Sequence, residues 1–337
     1  MTSHLKCVLV TDFAWPTLDI ERAILARADA EALVAQTGEE DALVVLAPRA
    51  DAILTNWKGV RRRTIEAATK CQVIVRYGVG LDNIDIEAAT ECGIAVANVP
   101  DYCMDEVSNE AMALLLSGAR GILTYDRSVH AGTWDVKVGM PLFRLQGMTL
   151  GIVGFGRIGR TVAPKAQAFG LRVVACDPYI DPQEMLQRGV TPRDLDTLLR
   201  ESDFVTLHTP LTPETRGMIG RENLRKMKPS AWLINTARGP VIDTSALYDA
   251  LSKKQIAGAG LDVLPQEPPD YNDPLFTLPN VIVTPHSAFY SEGSLQELQA
   301  KAAERVVEAL TGKVPGTIAN PAILRQANCR LAAGRDG

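Results

Sequence analysis

The 337-residue chain is short of several things, and each shortage excludes something. Its six cysteines (Cys7, Cys71, Cys92, Cys103, Cys176 and Cys329) include no C-x-x-C pair and none set with a histidine at zinc spacing. A disulfide framework and a metal site are therefore not expected, and a reducing, cytoplasmic compartment is. Most of these thiols sit inside apolar runs, where cysteine acts as a small hydrophobe. No apolar stretch approaches the ~20 residues of a membrane span. The opening "MTSHLKCVLVTDFAW" has too short an apolar core for a secretory signal and runs straight into a strand pattern. Basic residues are not in excess: 35 Lys and Arg against 40 Asp and Glu give a net charge of −5, which argues against nucleic-acid binding. The one basic cluster, Arg61-Arg62-Arg63, reads as a solvated helix face. Histidine is the scarcest titratable residue, with four in the chain: His4, His130, His208 and His286.

What is present is a repeated alternation. Short apolar runs ("CVLV", "ALVVL", "CQVIV", "IAVAN", "LGIVG", "RVVAC", "FVTLH", "AWLIN", "AGAGLDV", "VIVTP") read as buried strands. Helical-period segments such as "NEAMALLLSGARGI" and "TSALYDALSKKQ" lie between them. Continuous apolar strands alternating with helices indicate an α/β chain with mostly parallel sheets. Ten strands exceed one compact sheet of ordinary size, so two sheets and two domains are expected. A last long helix over 292–311 closes at Gly312. The Gly- and Pro-rich tail beyond it is expected to end in ten mobile residues, and no regulatory domain is expected after it.

"LGIVGFGRIGR" sets Gly154, Gly156 and Gly159 in a G-x-G-x-x-G pattern after an apolar run and before a helical segment at 158–169. The first glycine makes the tight turn, the second admits a pyrophosphate to the backbone, and the third lets helix and strand pack closely. The phosphates would lie at the helix N-terminus, where free N–H groups favour anions. Asp177 ends the next strand pattern, eighteen residues past Gly159, where a carboxylate can bind ribose hydroxyls. It would repel a 2′-phosphate, and "DPYID" offers no arginine, so NAD is expected rather than NADP.

In open parallel sheets, ligands bind beyond the carboxyl ends of the strands. Arg238 follows "AWLINTA", Glu267 follows "GAGLDVLPQ", His286 follows "VIVTP", and Asp262 ends its own strand. Singly, each reads as a loop residue; together they converge on one rim. Such a trio suits oxidation of a 2-hydroxy acid, which removes a hydride from carbon and a proton from oxygen. A histidine takes the proton, a carboxylate orients the ring and stabilises the imidazolium, and an arginine holds the substrate's carboxylate.

At these residues the chain resembles the D-isomer-specific 2-hydroxyacid dehydrogenases. The likeness lies in "GVGLDNIDIEAATECGIAVANVP", "GIVGFGRIGR", "DFVTLHTPLTPETRGMI", "LINTARGPVID", "LDVLPQEP" and "VTPHSAFYSE", and "HSAFYSE" is most similar to the branch with C-terminal-binding-protein corepressors. The resemblance implies two Rossmann-like or flavodoxin-like domains, with a cofactor domain at about 102–289 inserted into a substrate domain of about 1–101 plus 290–337, and hinges near 100–103 and 288–291. It makes His286 the general acid/base, Glu267 its partner and Arg238 the substrate-binding arginine. It has the backbone of Tyr77, Gly78, Val79 and Gly80 hold the substrate's carboxylate. Asp262 would contact the nicotinamide carboxamide. Arg157, Ile158, His208, Thr209, Pro210, Thr215, Thr236 and Ala237 join the glycines and Asp177 around NAD. His208 is then a cofactor-pocket residue, and His130 lies in a helix away from the chemistry. A homodimer is implied, with "VHAGTWDVKVGMPLFRLQG" as its embracing arm.

The family's H-x-G-x-x-T is here H-S-A-F-Y-S, with Ala288 for the glycine and Ser291 for the threonine. Phe289 is either a wall of the substrate pocket or plain packing. Two other readings stay open: a dinucleotide-sensing scaffold, and a dehydrogenase of another substrate such as phosphite or 3-phosphoglycerate. Formate dehydrogenases of this fold carry a glutamine in place of Glu267 and are disfavoured.

Overall fold

The computed structural model describes residues 5–331. His4 and residues 332–337 lie outside the described residues. The chain divides into two compact units, residues 1–102 with 291–337, and residues 103–290.

The first unit carries a five-stranded parallel sheet. Its strands are β1 (Lys6–Val10), β2 (Ala30–Val34), β3 (Ala52–Thr55), β4 (Val73–Arg76) and β5 (Ala95–Ala97), in the order β2-β1-β3-β4-β5. That is the flavodoxin-like order, whose ligand-binding crevice lies at the carboxyl ends of β1 and β3, where the winding reverses. The three inner strands are buried nearly throughout, as parallel strands covered on both faces must be.

The second unit has a seven-stranded parallel sheet. It comprises β6 (Thr149–Val153), β7 (Arg172–Cys176), β8 (Thr191–Pro192), β9 (Phe204–Leu207), β10 (Trp232–Asn235), β11 (Gly258–Leu261) and β12 (Val281–Val283). The order is β12-β11-β10-β9-β6-β7-β8. This is the doubly wound arrangement with its switch point between β6 and β9, extended by a seventh strand. Two apolar layers cover the sheet. One includes Val205, Leu233, Leu247 and Leu251; the other includes Leu115, Ile152, Phe155 and Val162.

Nine of the ten expected strands form; "ALVVL" does not. Residues Glu40–Leu46 are a helix with two acids in its first turn, Glu40 and Asp41. Burial falls on Leu43, Ala47 and Ala50, a helical spacing, while Val45 is exposed. The strand of that region is β2, "AEALV", which the pattern concealed because Glu31 interrupts its apolar run. β3 and β8 were also missed, and β8 is only two residues long. The expected mobility of the last ten residues is overturned for Asn328–Leu331. Cys329 and Leu331 are buried, Asn328 Nδ2 donates to the Glu91 carbonyl at 2.8 Å, and Arg330 Nη1 donates to the Ala68 carbonyl at 2.7 Å. Apolar anchors and backbone pairing tie that end down despite its Gly- and Pro-rich approach. The arginine cluster caps and opens the short helix Arg62–Ala67, where Arg62 pairs with Glu91 and Arg63 with Asp41 on the surface. Among the described residues, no helix is long and apolar enough to cross a membrane.

Candidate active site

The glycine loop joins β6 to the helix Arg157–Ala168. Gly154 has φ +92°, and a Cβ there would lie 2.8 Å from the His208 backbone, so only glycine lets the loop press against the end of β9. At Gly159 a Cβ would lie 2.4 Å from the Gly154 carbonyl oxygen. Gly156 differs: a Cβ there would meet nothing within 4 Å, which leaves open space against its backbone. Arg157 is exposed and Ile158 half-buried at the start of the helix. Asp177, just past β7, accepts the Phe155 N–H at 2.8 Å and the Tyr179 N–H at 2.9 Å, and so clamps the loop. It lines a cavity of about 420 Å³ with Ile180, Met185, Arg193 and Asp194.

Three buried polar atoms beside this loop have no hydrogen-bond partner: His208 Nδ1, Thr209 Oγ1 and Thr236 Oγ1. They follow β9 and β10, at the carboxyl edge. Burial lowers the His208 pKa to about 3, so its ring is neutral at physiological pH, and Nε2 meets the Thr206 hydroxyl at 3.0 Å. Buried groups left unpaired in this way suit a polar ligand that completes them. Thr215, by contrast, spends its hydroxyl within its own loop, donating to the Pro210 carbonyl at 2.7 Å and accepting from the Thr212 N–H at 2.8 Å. Open space at Gly156, the unpaired trio and the carboxylate-lined cavity together fit a dinucleotide.

The expected trio stands on three adjacent strands, β10, β11 and β12. Gly239 sets Arg238 close to the loop after β11, since a Cβ on Gly239 would lie 2.0 Å from the Leu264 carbonyl carbon. The Arg238 guanidinium donates to the Ala237 carbonyl at 2.7 Å, and the Asn235 amide holds the Arg238 carbonyl at 2.9 Å. Glu267 Oε1 accepts the Leu264 N–H at 2.9 Å, and Oε2 meets His286 Nδ1 at 2.6 Å. Burial pulls the Glu267 carboxyl upward, but the hydrogen bond and charge of His286, the Leu264 N–H and the Arg238 charge outweigh it and hold the group below its ordinary value. An ionised carboxylate only accepts, so the shared proton sits on Nδ1.

His286 is held in the left-handed region at φ +53°, a conformation few non-glycine residues adopt. Asp262, 1% exposed, sustains it. Its backbone carbonyl accepts the His286 N–H at 2.8 Å. Its carboxylate accepts the Thr284 hydroxyl at 2.7 Å and the N–H groups of Ser287 and Ala288 at 2.8 and 3.0 Å. A second carboxyl lies near: burial and the Asp262 charge push Glu110 upward, while a hydrogen bond with Thr284 pulls the other way. Phe289 meets the His286 ring edge-on at 6.2 Å, which places it against the proton-transfer group. His130 ends the helix Ile122–His130, exposed and bonded to Asp126.

In the other unit, Tyr77, Gly78, Val79 and Gly80 follow β4. Gly78 has φ +133°. The Gly78 carbonyl accepts the Val99 N–H at 3.0 Å, and the Val79 carbonyl accepts Asn98 Nδ2 at 2.7 Å. Among the described residues, no acceptor takes the N–H groups of Gly78, Val79 or Gly80. Carbonyls tied back and consecutive N–H groups without an acceptor suit an anion.

Sequence reasoning missed three residues placed beside these groups. Arg193 brings a cation to the Asp177 cavity, although its guanidinium is spent on Glu201 at 2.9 Å and the Pro192 carbonyl at 3.0 Å. Thr284 immediately precedes the TPH proline and was readable as part of that motif. Glu110 sits in a helix as an ordinary polar residue, and no local signal marks it.

Fold and geometry define a dinucleotide-dependent oxidoreductase class: a doubly wound sheet, a glycine loop, and an arginine, a carboxylate and a histidine on its carboxyl edge. Residues 112–288 match the model of the D-isomer specific 2-hydroxyacid dehydrogenase NAD-binding domain. A glyoxylate reductase of Thermococcus litoralis is 42% identical over 298 residues, covering 87% of each chain. A D-3-phosphoglycerate dehydrogenase of Methanocaldococcus jannaschii is 42% identical over 264 residues, 77% of this chain but 50% of that one. A D-lactate dehydrogenase of Aquifex aeolicus, complexed with NAD and lactic acid, superposes with a TM-score of 0.83 at 28% identity, over 93% of this chain and 99% of that one. The chain belongs to the D-isomer-specific 2-hydroxyacid dehydrogenases, NAD-dependent oxidoreductases.

Proposed function

We propose that the protein reduces short 2-keto acids with NADH: glyoxylate, foremost among them, to glycolate, and substituted 2-keto acids to the corresponding D-2-hydroxy acids. The observation that carries this is the 2.6 Å bond from Glu267 to His286 on a strained turn, with Arg238 on the adjacent strand end. The preference for a short acid rests on the relative named glyoxylate reductase, which matches over most of both chains.

The residues divide the work. NADH, when bound, would supply the hydride. The backbone of Gly154, Gly156 and Gly159 would receive its pyrophosphate, Asp177 its ribose hydroxyls, and Thr209, Thr236 and His208 its remaining polar groups. Arg238 binds the keto acid and polarises its carbonyl through charge-assisted hydrogen bonds. The free N–H groups of Gly78, Val79 and Gly80 bind its carboxylate. His286 delivers the proton from Nε2 to the carbonyl oxygen, and Glu267 stabilises the imidazolium before that transfer. Asp262 keeps His286 in its turn, and Phe289 bounds the substrate's side chain from the His286 side.

The segment 121–147 exposes Ile122, Val129, Trp134, Val136, Val138, Met140 and Phe143, and its helix Ile122–His130 buries no residue. So much exposed apolar surface in one stretch supports a homodimer arm. Size-exclusion chromatography with light scattering should report twice the monomer mass; a monomer at micromolar concentration removes the arm from the reading.

NADH oxidation with glyoxylate, pyruvate, hydroxypyruvate, 3-phosphohydroxypyruvate and phenylpyruvate tests the function. The highest kcat/KM is expected on glyoxylate or hydroxypyruvate. Absence of turnover on every one of them refutes the keto-acid reading and leaves a dinucleotide-sensing scaffold or a dehydrogenase of another substrate such as phosphite. A preference for the phosphorylated acid replaces the substrate.

A further inference from the structure

The five-stranded unit buries a carboxyl that the proposed chemistry leaves unused. Glu21 lies in the first turn of the helix Asp19–Leu25 and has 0% of its surface exposed. Its Oε1 accepts the Trp15 indole N–H at 3.0 Å and the Tyr77 hydroxyl at 3.2 Å. Its Oε2 is buried with no hydrogen-bond partner. The Trp15 and Tyr77 rings meet edge-on, with centroids 4.8 Å apart. Burial pushes the Glu21 carboxyl above its ordinary value, against the pull of its donors.

A half-satisfied buried carboxyl is costly, and an apolar residue would fill the same space without that cost. What it does accomplish is local. Tyr77 is the first residue of the proposed anion cradle, and its own N–H is fixed to the Thr55 carbonyl at 2.8 Å. The carbonyls of Gly78 and Val79 are tied back by Val99 and Asn98. Glu21 fixes the remaining freedom, the Tyr77 side chain, through its hydroxyl.

We infer that Glu21 is a positioning residue for the keto acid's carboxylate: through Tyr77 it holds the N–H groups of Gly78, Val79 and Gly80 in their binding geometry. This rests on the reading that the loop takes that carboxylate. Glu21 touches no reacting atom, so its effect belongs in substrate affinity and not in the chemical step.

The test is steady-state keto-acid reduction by variants of the full chain. Tyr77→Phe removes the hydroxyl and keeps the ring against Trp15. It should raise KM for the keto acid about three- to tenfold and leave kcat and the KM for NADH within about twofold. Glu21→Gln keeps an oxygen that accepts from both donors and should stay within about threefold of wild type. Glu21→Ala should reproduce the Tyr77→Phe change; if it does not fold, the first two variants decide. A lowered melting temperature with unchanged keto-acid KM makes Glu21 structural and overturns the inference, as does a matching loss in kcat or in NADH affinity. Failure of the functional reading looks different: the wild-type protein itself then turns over no 2-keto acid.

Discussion

The two parallel sheets prepare their carboxyl edges by different means. The seven-stranded sheet presents charged side chains there, Arg238, Glu267 and His286, each on its own strand end and each held by a short hydrogen bond. The five-stranded sheet presents backbone, N–H groups freed by a glycine at φ +133° and steadied from behind by a buried carboxyl. Side chains that move protons must face the reaction. Backbone that only binds an anion needs no titratable group at the edge. The contrast predicts loss of chemistry from lesions at the first edge, and loss of affinity or stability from lesions in the second unit.

The largest effect belongs to His286. His286→Ala should lower kcat by at least the ~10²–10⁴ ascribed to general acid–base catalysis, and NADH binding followed by fluorescence should persist. Turnover within tenfold of wild type would break the contrast, because the proton would then come from elsewhere. Next is the packed C-terminal end of the five-stranded unit, where Leu331 is fully buried. Truncation before Asn328 should cost roughly 2–3 kcal/mol for the lost apolar burial, read as a lower urea midpoint with kcat little changed. A midpoint that does not move would mean these residues contribute no packing energy.

Much of this was legible in the sequence, and the reasons are physical. Inner parallel strands must be apolar on both faces, so β1, β6, β9 and β10 announce themselves. The glycine loop, Asp177 and the trio are set by local geometry that only certain residue types satisfy. The failures are equally local. Val44 and Val45 made "ALVVL" look like a strand, whereas burial at Leu43, Ala47 and Ala50 follows a helix. Glu31 hid an edge strand. Glu21 and Glu110 earn their interest only from what lies opposite them across the fold, Tyr77 and Asp262, and sequence spacing carries no trace of either pairing.

Asp177 gives a smaller effect at the cofactor end of the side-chain edge. Asp177→Ser should shift the NADH-to-NADPH ratio of kcat/KM by about tenfold toward NADPH, through lost ribose contacts and removal of a charge that repels a 2′-phosphate. Arg193 limits the gain, because its guanidinium is engaged by Glu201 and the Pro192 carbonyl. A second change, Glu201→Gln, should therefore widen the shift. An unchanged ratio in both variants would place discrimination outside this cavity.

The smallest effect is a pH dependence that belongs to Glu267 alone. Its carboxyl is held below the ordinary value of 4.5 by His286, the Leu264 N–H and Arg238, against burial. A folded value below the unfolded one means that the unfolded chain takes up the proton first as pH falls. The stabilisation is then fully present above about pH 4.5 and is lost as pH drops through the lower folded value. Glu267→Gln cannot titrate, so its stability curve should lack that acid-side decline and lie nearest the wild-type curve at the lowest pH. Urea midpoints measured between pH 3 and 6 decide it: parallel curves for the two proteins would show that the Glu267–His286 bond is not linked to folding. The same variant should lose turnover at pH 7, because a neutral amide no longer stabilises the imidazolium that delivers the proton. The side-chain edge thus couples a large catalytic effect to a small stability effect at one residue, whereas Glu21 is predicted to alter substrate affinity with kcat preserved.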